Sequence, residues 1–225
     1  MKFNRSSIPI FIPYVNRPDL LATCLASLSH RLITHPVVIN NSGGYIPNYV
    51  YLHWHGYVDF MSDTSGGKPP TFSQTQNMML RCAVEAGNPF YFFMHSDAID
   101  NEGILDNLFD MAMQQTQKWG AIFTSYDALA CFNTDAMLAV GGWDENIPWY
   151  RSDCDMYRRL RLAGYPTLES GLKVFHEPSQ TLKSDPAIKD RVYEENKASR
   201  LYYIRKWGGD NEQEKYEVPF NGQAS

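Results

Sequence analysis

Phe90-Tyr91-Phe92-Phe93-Met94-His95-Ser96-Asp97 is the most apolar run in the chain, and it stops abruptly on polar residues. Five successive large apolar side chains leave a strand no solvated face. Such a strand is covered on both sides, as in a parallel sheet, whereas a half-exposed antiparallel strand alternates. Towards the N-terminus, Ile8-Pro9-Ile10-Phe11-Ile12-Pro13 and Pro36-Val37-Val38-Ile39 are two further buried-strand patterns. Between them Pro18 opens a segment with Leu20, Leu21, Cys24, Leu25 and Leu28 at helical spacing. Asn77, Met78, Leu80 and Ala83 mark another helix ahead of Phe90, and a further strand is expected between Val50 and Phe60.

Strands alternating with helices in this way predict an α/β fold, a mostly parallel central sheet flanked by helices. The 225 residues, 44% apolar, suffice for one sizeable core, so a single domain is expected over 1–225. Its C-terminal part, 185–225, reads as a helix carrying Val192, Leu201, Tyr202, Ile204 and Trp207, followed from Asn211 by a polar, extended tail. A net charge of −5 and a pI of about 5.7 argue against a broad nucleic-acid surface. Cys24, Cys82, Cys131 and Cys154 lie far apart without CxxC spacing, so unpaired thiols are expected rather than a zinc cluster or a disulfide framework. With no signal peptide, and no apolar run near the ~20 residues that span a bilayer, no transmembrane segment and a cytoplasmic location are expected.

In open sheets of this kind ligands gather beyond the carboxyl ends of the strands. Three such ends carry polar clusters: Tyr14 to Arg17, Asn40 to Ser42, and His95-Ser96-Asp97. A carboxylate at Asp97, separated by two residues from a rigid strand, is a hard ligand for Mg²⁺ or Mn²⁺ shared with substrate phosphates. It can equally be a cap, with Asp97, Asp100 or Glu102 as the acid of the next helix's first turn. His95 has an ordinary reading too, as a packed histidine. Further on, Gly141-Gly142 end a short helix before Trp143-Asp144-Glu145, and Ser152 to Gly164 form a helix that Ser152 can cap. Asp153 and Asp155 in its first turn are explained by the helix dipole, or one of them faces the crevice and accepts a proton from a hydroxyl. Residues two apart do not share a helix face, so the two acids have different jobs. Ser62 to Thr71, with two glycines and two prolines, is a candidate lid.

Taken in order, Ile10 to Pro18, His95-Ser96-Asp97, Phe132-Asn133, Gly141 to Glu145 and Ser152-Asp153-Cys154-Asp155 resemble the GT-A fold glycosyltransferases of family 2 over about Ile8 to Pro178. Lys206-Trp207-Gly208-Gly209 is also similar to segments closing some members. The resemblance implies an inverting transfer of a sugar from a nucleotide-diphosphate sugar to a glycan or other hydroxyl acceptor, assisted by Mn²⁺ or Mg²⁺. By position it implies nucleotide and donor contacts at Pro13, Tyr14, Asn16, Arg17, Asn40 and Asn41, although an acid is usual near Asn40 or Asn41. His95-Ser96-Asp97 matches the family's DxD motif with His in place of the first acid, leaving Asp97 as the metal ligand and His95 as a metal or nucleotide contact. Asp153 matches the acid of the ED-like motif, here with Ser152 in place of Glu, and implies the catalytic base. Trp143 and Asp144 would line the sugar and acceptor side, and His176 in Val174-Phe175-His176-Glu177 stands where some members supply a further metal ligand. Two rivals stand beside this reading. One is a nucleotide-sugar-binding domain that has lost turnover with the first acid of DxD. The other is a nucleotidyltransferase, for which no glycine-rich, Lys- or Arg-bearing loop follows the first strand.

Overall fold

Side chains alternate along Phe90–Met94, and that alternation sets the architecture. Phe90, Phe92 and Met94 enter one apolar cluster, Tyr91 and Phe93 another, and all five are buried. The computed structural model describes residues 7–28, 35–42, 46–47, 50, 59–61, 69–177, 180, 183 and 186–223. The expected lid, up to Lys68, and most of the stretch from Val50 to Phe60 lie outside the described residues.

The elements run β1 (Pro9–Tyr14), α1 (Pro18–Leu28), β2 (His35–Asn40), β3 (Asp59–Met61), α2 (Phe72–Glu85), β4 (Phe90–Met94), β5 (Ala98–Ile99), α3 (Ile104–Met113), β6 (Ala121–Phe123), β7 (Leu129–Asn133), α4 (Thr134–Ala139), α5 (Ser152–Leu162), β8 (Thr167–Glu169), β9 (Phe175–His176) and α6 (Pro186–Trp207). The main sheet has the order β3-β2-β1-β4-β7-β6-β8, with only β7 antiparallel to its neighbours. From β1 the chain steps outward through β2 to β3, and α2 returns it to β4 on the other side of β1. That reversal makes the carboxyl ends of β1 and β4 a topological switch point, where a crevice opens.

Helices α1 and α3 cover one face through Leu21, Leu25, Leu105 and Leu108. Helices α2, α4 and α5 cover the other through Met79, Ala83, Met137 and Leu160. Local signals place these helices. Thr71 and Gln74 form a reciprocal capping box on α2, and Asn133 accepts from Ala136 N at the start of α4. Asp100 takes the capping role at α3, accepting from Ile104 N (2.8 Å) and Leu105 N (3.1 Å), which leaves Asp97 free of it. At α5, Ser152 does not cap. Its hydroxyl donates to the Trp149 carbonyl, and Arg151, at φ 70°, occupies the cap position.

A third cluster, Ile147, Tyr203 and Trp207, seats α6. The segment after it is not the extended tail the composition suggests. It turns at Gly208 (φ +73°), where a Cβ would stand 2.7 Å from the Tyr216 ring, and Lys215 N and Tyr216 N both donate to Trp207 O. Arg158 Nη2 reaches Tyr216 O at 2.6 Å, so polar side chains pin a polar segment that has little apolar surface to bury. No disulfide joins the four cysteines. No helix among the described residues is long and apolar enough to cross a membrane.

Candidate active site

A cleft of about 370 Å³ opens at the switch point, lined from the ends of β1, β2 and β4, from α2 and α5, and by α6. Its most chemically distinctive group is assembled by the small sheet. Ala98 of β5 pairs with His176 of β9, which brings His176 beside Asp97 with Nε2–Oδ1 at 3.2 Å. The His95 ring stacks on His176 (5.2 Å, 21°) and packs against Phe93 and Phe72 (4.8 and 6.4 Å). Its backbone is fixed by His95 N donating to Ala128 O and by the Cys24 thiol and Ala98 N donating to His95 O. One ligand atom from each of His95, Asp97 and His176 falls within 4.8 Å of the others.

Burial lowers the His95 pKa to about 4, against the pull of Asp97 and with a further push from His176. The imidazole is therefore neutral at physiological pH and keeps a lone pair to give. Burial would raise Asp97, but the hydrogen bond from His176 and the neighbouring imidazoles outweigh it and hold the carboxyl below its usual range. His176 Nδ1 is buried with no hydrogen-bond partner. Two imidazoles and an ionised carboxylate with an unsatisfied ring nitrogen fit a divalent metal ion.

Asp153 lines the same cleft from the first turn of α5. Beside it stands an acid the sequence reading passes over. Asp127 closes the turn between β6 and β7, with Tyr126 and Asp127 both in the left-handed region (φ 62° and 51°). This geometry aims Asp127 into the cleft and leaves Tyr126 at its rim, 86% exposed. Burial, then repulsion from Asp153 and Glu169, raise the Asp127 carboxyl to about 7, against a hydrogen bond from Tyr157. The signal was there, because Asp127 lies just beyond the carboxyl end of β6, but Ala121–Phe123 is too short an apolar run to stand out as a strand. Asp155 faces away from the cleft. It is wholly buried, bonded to Arg159 Nε (2.7 Å), Lys206 Nζ (2.6 Å) and Trp207 Nε1 (2.8 Å).

Trp143 is presented to the cleft by a double clamp. Asn77 of α2 exchanges hydrogen bonds with Trp143 N (2.7 Å) and O (3.0 Å), and Arg159 Nη1 holds Val140 O and Gly142 O. Gly142 (φ +73°) has no room for a Cβ, which would meet Asn77 Oδ1 at 2.7 Å. The remaining wall comes from α6, whose Ile188, Arg191 and Val192 line the cleft. Arg191 lies over Trp149 (5.5 Å), pairs with Glu195 (2.9 Å) and donates to Pro69 O (3.1 Å). It is the one Arg or Lys among the described lining residues. Sequence reasoning gave α6 only a packing role, because nothing in its own spacing says which of its faces meets the crevice.

Of the expected donor contacts, Pro13, Asn41, His95, Ser96 and Asp97 line the cleft, and Tyr14, Asn16, Arg17 and Asn40 do not. Strand alternation sends the Tyr14 side chain into the core on the α1 side. Arg17 folds back on Asp19 (2.6 Å), and Asn40 closes a local turn by accepting from Ser42 N (3.0 Å). Trp143 lines the cleft, whereas Asp144 is turned away to Lys206 (2.7 Å) and Tyr202 (3.1 Å).

No family model and no curated protein matches the sequence. Solved structures are similar in fold. A mannosyltransferase from Pyrobaculum calidifontis in complex with GDP-Man and Mn²⁺ superposes with a TM-score of 0.65 at 14% identity, over 89% of this chain and 71% of that one. TarS of S. aureus gives 0.56 at 12% identity, over 89% and 73%. Glucosyl-3-phosphoglycerate synthase from Mycobacterium tuberculosis, in complex with Mn²⁺, UDP and glucosyl-3-phosphoglycerate, gives 0.58 at 11% identity, over 90% and 80%. The chain has the GT-A fold of these glycosyltransferases.

Proposed function

We propose that the protein is an inverting glycosyltransferase that moves a sugar from a nucleotide-diphosphate sugar to a hydroxyl acceptor with the help of a divalent metal ion. The observation that carries this reading is the convergence of His95, Asp97 and His176 with the Asp153 carboxylate in one cleft at the switch point of a GT-A fold. The ends of β1 and β2 at Pro13 and Asn41 take the donor, and Trp143 with the aromatic wall of Phe72, Trp149 and Tyr150 suits the apolar face of a sugar ring. Asp153 accepts the proton of the acceptor hydroxyl as its oxygen attacks the anomeric carbon and the nucleoside diphosphate departs with the bonding pair, a proton transfer worth ~10²–10⁴-fold in rate. His95, Asp97 and His176 would hold a divalent ion, which would neutralise charge growing on the diphosphate, and their mixed imidazole and carboxylate set favours Mn²⁺ over Mg²⁺. Arg191 adds a fixed positive charge from α6.

The test is incubation with a panel of nucleotide sugars and Mn²⁺, following release of nucleoside diphosphate for the wild type and Asp153→Asn. An amide cannot take the acceptor's proton, so turnover should fall by about two orders of magnitude or more with donor affinity unchanged. Pyrophosphate exchange would instead mark a nucleotidyltransferase, and saturable binding without turnover in the wild type a binding domain. Near wild-type turnover in Asp153→Asn would remove Asp153 from the role of base.

A further inference from the structure

Gln76 is wholly buried in the second turn of α2, lines the cleft, and has neither amide atom hydrogen-bonded. Its position is odd for the helix. Phe72, Met79, Leu80 and Ala83 on the same side are apolar and packed, so an amide there has no folding reason. A buried side-chain amide without partners is rare and destabilising, and where it borders a cavity a bound group can complete its hydrogen bonds.

A second unsatisfied atom belongs to the same cleft. The Thr75 hydroxyl donates to Thr71 O (2.8 Å), so it can only accept from Asn41 Nδ2 (2.9 Å). This commits the orientation of the Asn41 amide, whose Oδ1 is left buried and unpaired in a residue that also lines the cleft. Asn41 is itself anchored, its backbone N–H donating to Tyr14 O (2.9 Å) where β1 and β2 end. Together the pair offers two neutral acceptors, Asn41 Oδ1 and Gln76 Oε1, and the donor Gln76 Nε2. Acceptors repel phosphate oxygens, so this wall is not for the diphosphate.

The geometry points to Gln76 and Asn41 as a specificity-determining pair that reads a neutral group presenting two hydrogen-bond donors beside one acceptor. On a nucleotide sugar that chemistry has two sources, the edge of guanine (N1–H, N2–H and O6) and vicinal hydroxyls of the transferred sugar; uracil, with a single N–H, satisfies only one of the acceptors. The inference rests on the proposed binding of a nucleotide sugar in the cleft.

The test is Gln76→Leu, with Gln76→Met as an unbranched second variant, read by calorimetric titration with GDP, UDP and their sugar conjugates in Mn²⁺ and by melting temperature without ligand. Removing an unsatisfied buried amide should leave the unliganded melting temperature equal or higher, while affinity falls about tenfold or more. A loss confined to GDP and its conjugates assigns the pair to the base, and a loss seen with the conjugates but not the free diphosphates assigns it to the sugar. Unchanged affinities in both variants, an equal loss for every ligand, or a lowered melting temperature in both would overturn the proposal. If the wild type binds none of the nucleotides, the proposed function fails with it; if it binds them and the variants do so equally well, only the role of Gln76 fails.

Discussion

Asp127 sits against Asp153 with a proton affinity raised to about 7, and this has a measurable sign. An unfolded carboxyl titrates near ~3.9, so the folded protein holds a proton on Asp127 that the unfolded chain has already released over the interval between. Its contribution to stability is complete below about pH 4 and is lost as pH rises through about 7. Asp127→Asn keeps an acceptor for the Tyr157 hydroxyl and removes the titration. The melting temperature of this variant relative to wild type should therefore rise between pH 5 and pH 8.5; a flat difference would show that Asp127 is ionised throughout. Asp153 and Asp155 make the complementary point at the same scale. Both stand in the first turn of α5, and the sequence says only that they face different ways. Which one meets the cleft is decided by Lys206 and Trp207, more than fifty residues further along, and no local pattern carries that information.

Helix α6 docks on α5 through charge as well as through Trp207. Asp155 holds Arg159 and Lys206, Lys206 also holds Asp144, and Asp144 in turn accepts from Tyr202. Replacing Asp155 by Ala leaves a nearly buried ammonium and guanidinium short of a counter-charge, and such losses cost about 3–5 kcal/mol. Urea denaturation of Asp155→Ala should show that loss, and Asp153→Asn, with no such network to break, should show little. The strands β1, β2 and β4 and most helices were legible because buried runs and helical spacing are local properties, and the Phe90–Met94 run alone places the centre of the sheet, whereas β6, β7 and β8 went unread. The docked tail was not, since its segment is polar by composition and ordered by partners on α5 and α6. His176 lay between these cases. Its strand end could be read, but its neighbour, β5, is two residues long and leaves no period to detect.

For the whole molecule, a ligand that binds only the folded state raises its stability by mass action. A nucleoside diphosphate with Mn²⁺ should raise the melting temperature, and EDTA should abolish most of that shift. An equal shift with EDTA would mean that the nucleotide is held without the metal. Order of synthesis adds a consequence of α6 forming a wall of the cleft. The sheet, the His95–Asp97–His176 group and both cleft acids are all encoded before Pro186, whereas Ile188, Arg191 and Val192 arrive with α6. At ~5–20 residues per second a ribosome needs a few seconds to deliver it, during which the nascent domain has its reactive groups assembled and one side of the crevice missing. A chain stalled or clipped before α6 would keep the His95–Asp97–His176 group and both acids while losing the one Arg or Lys described in the cleft.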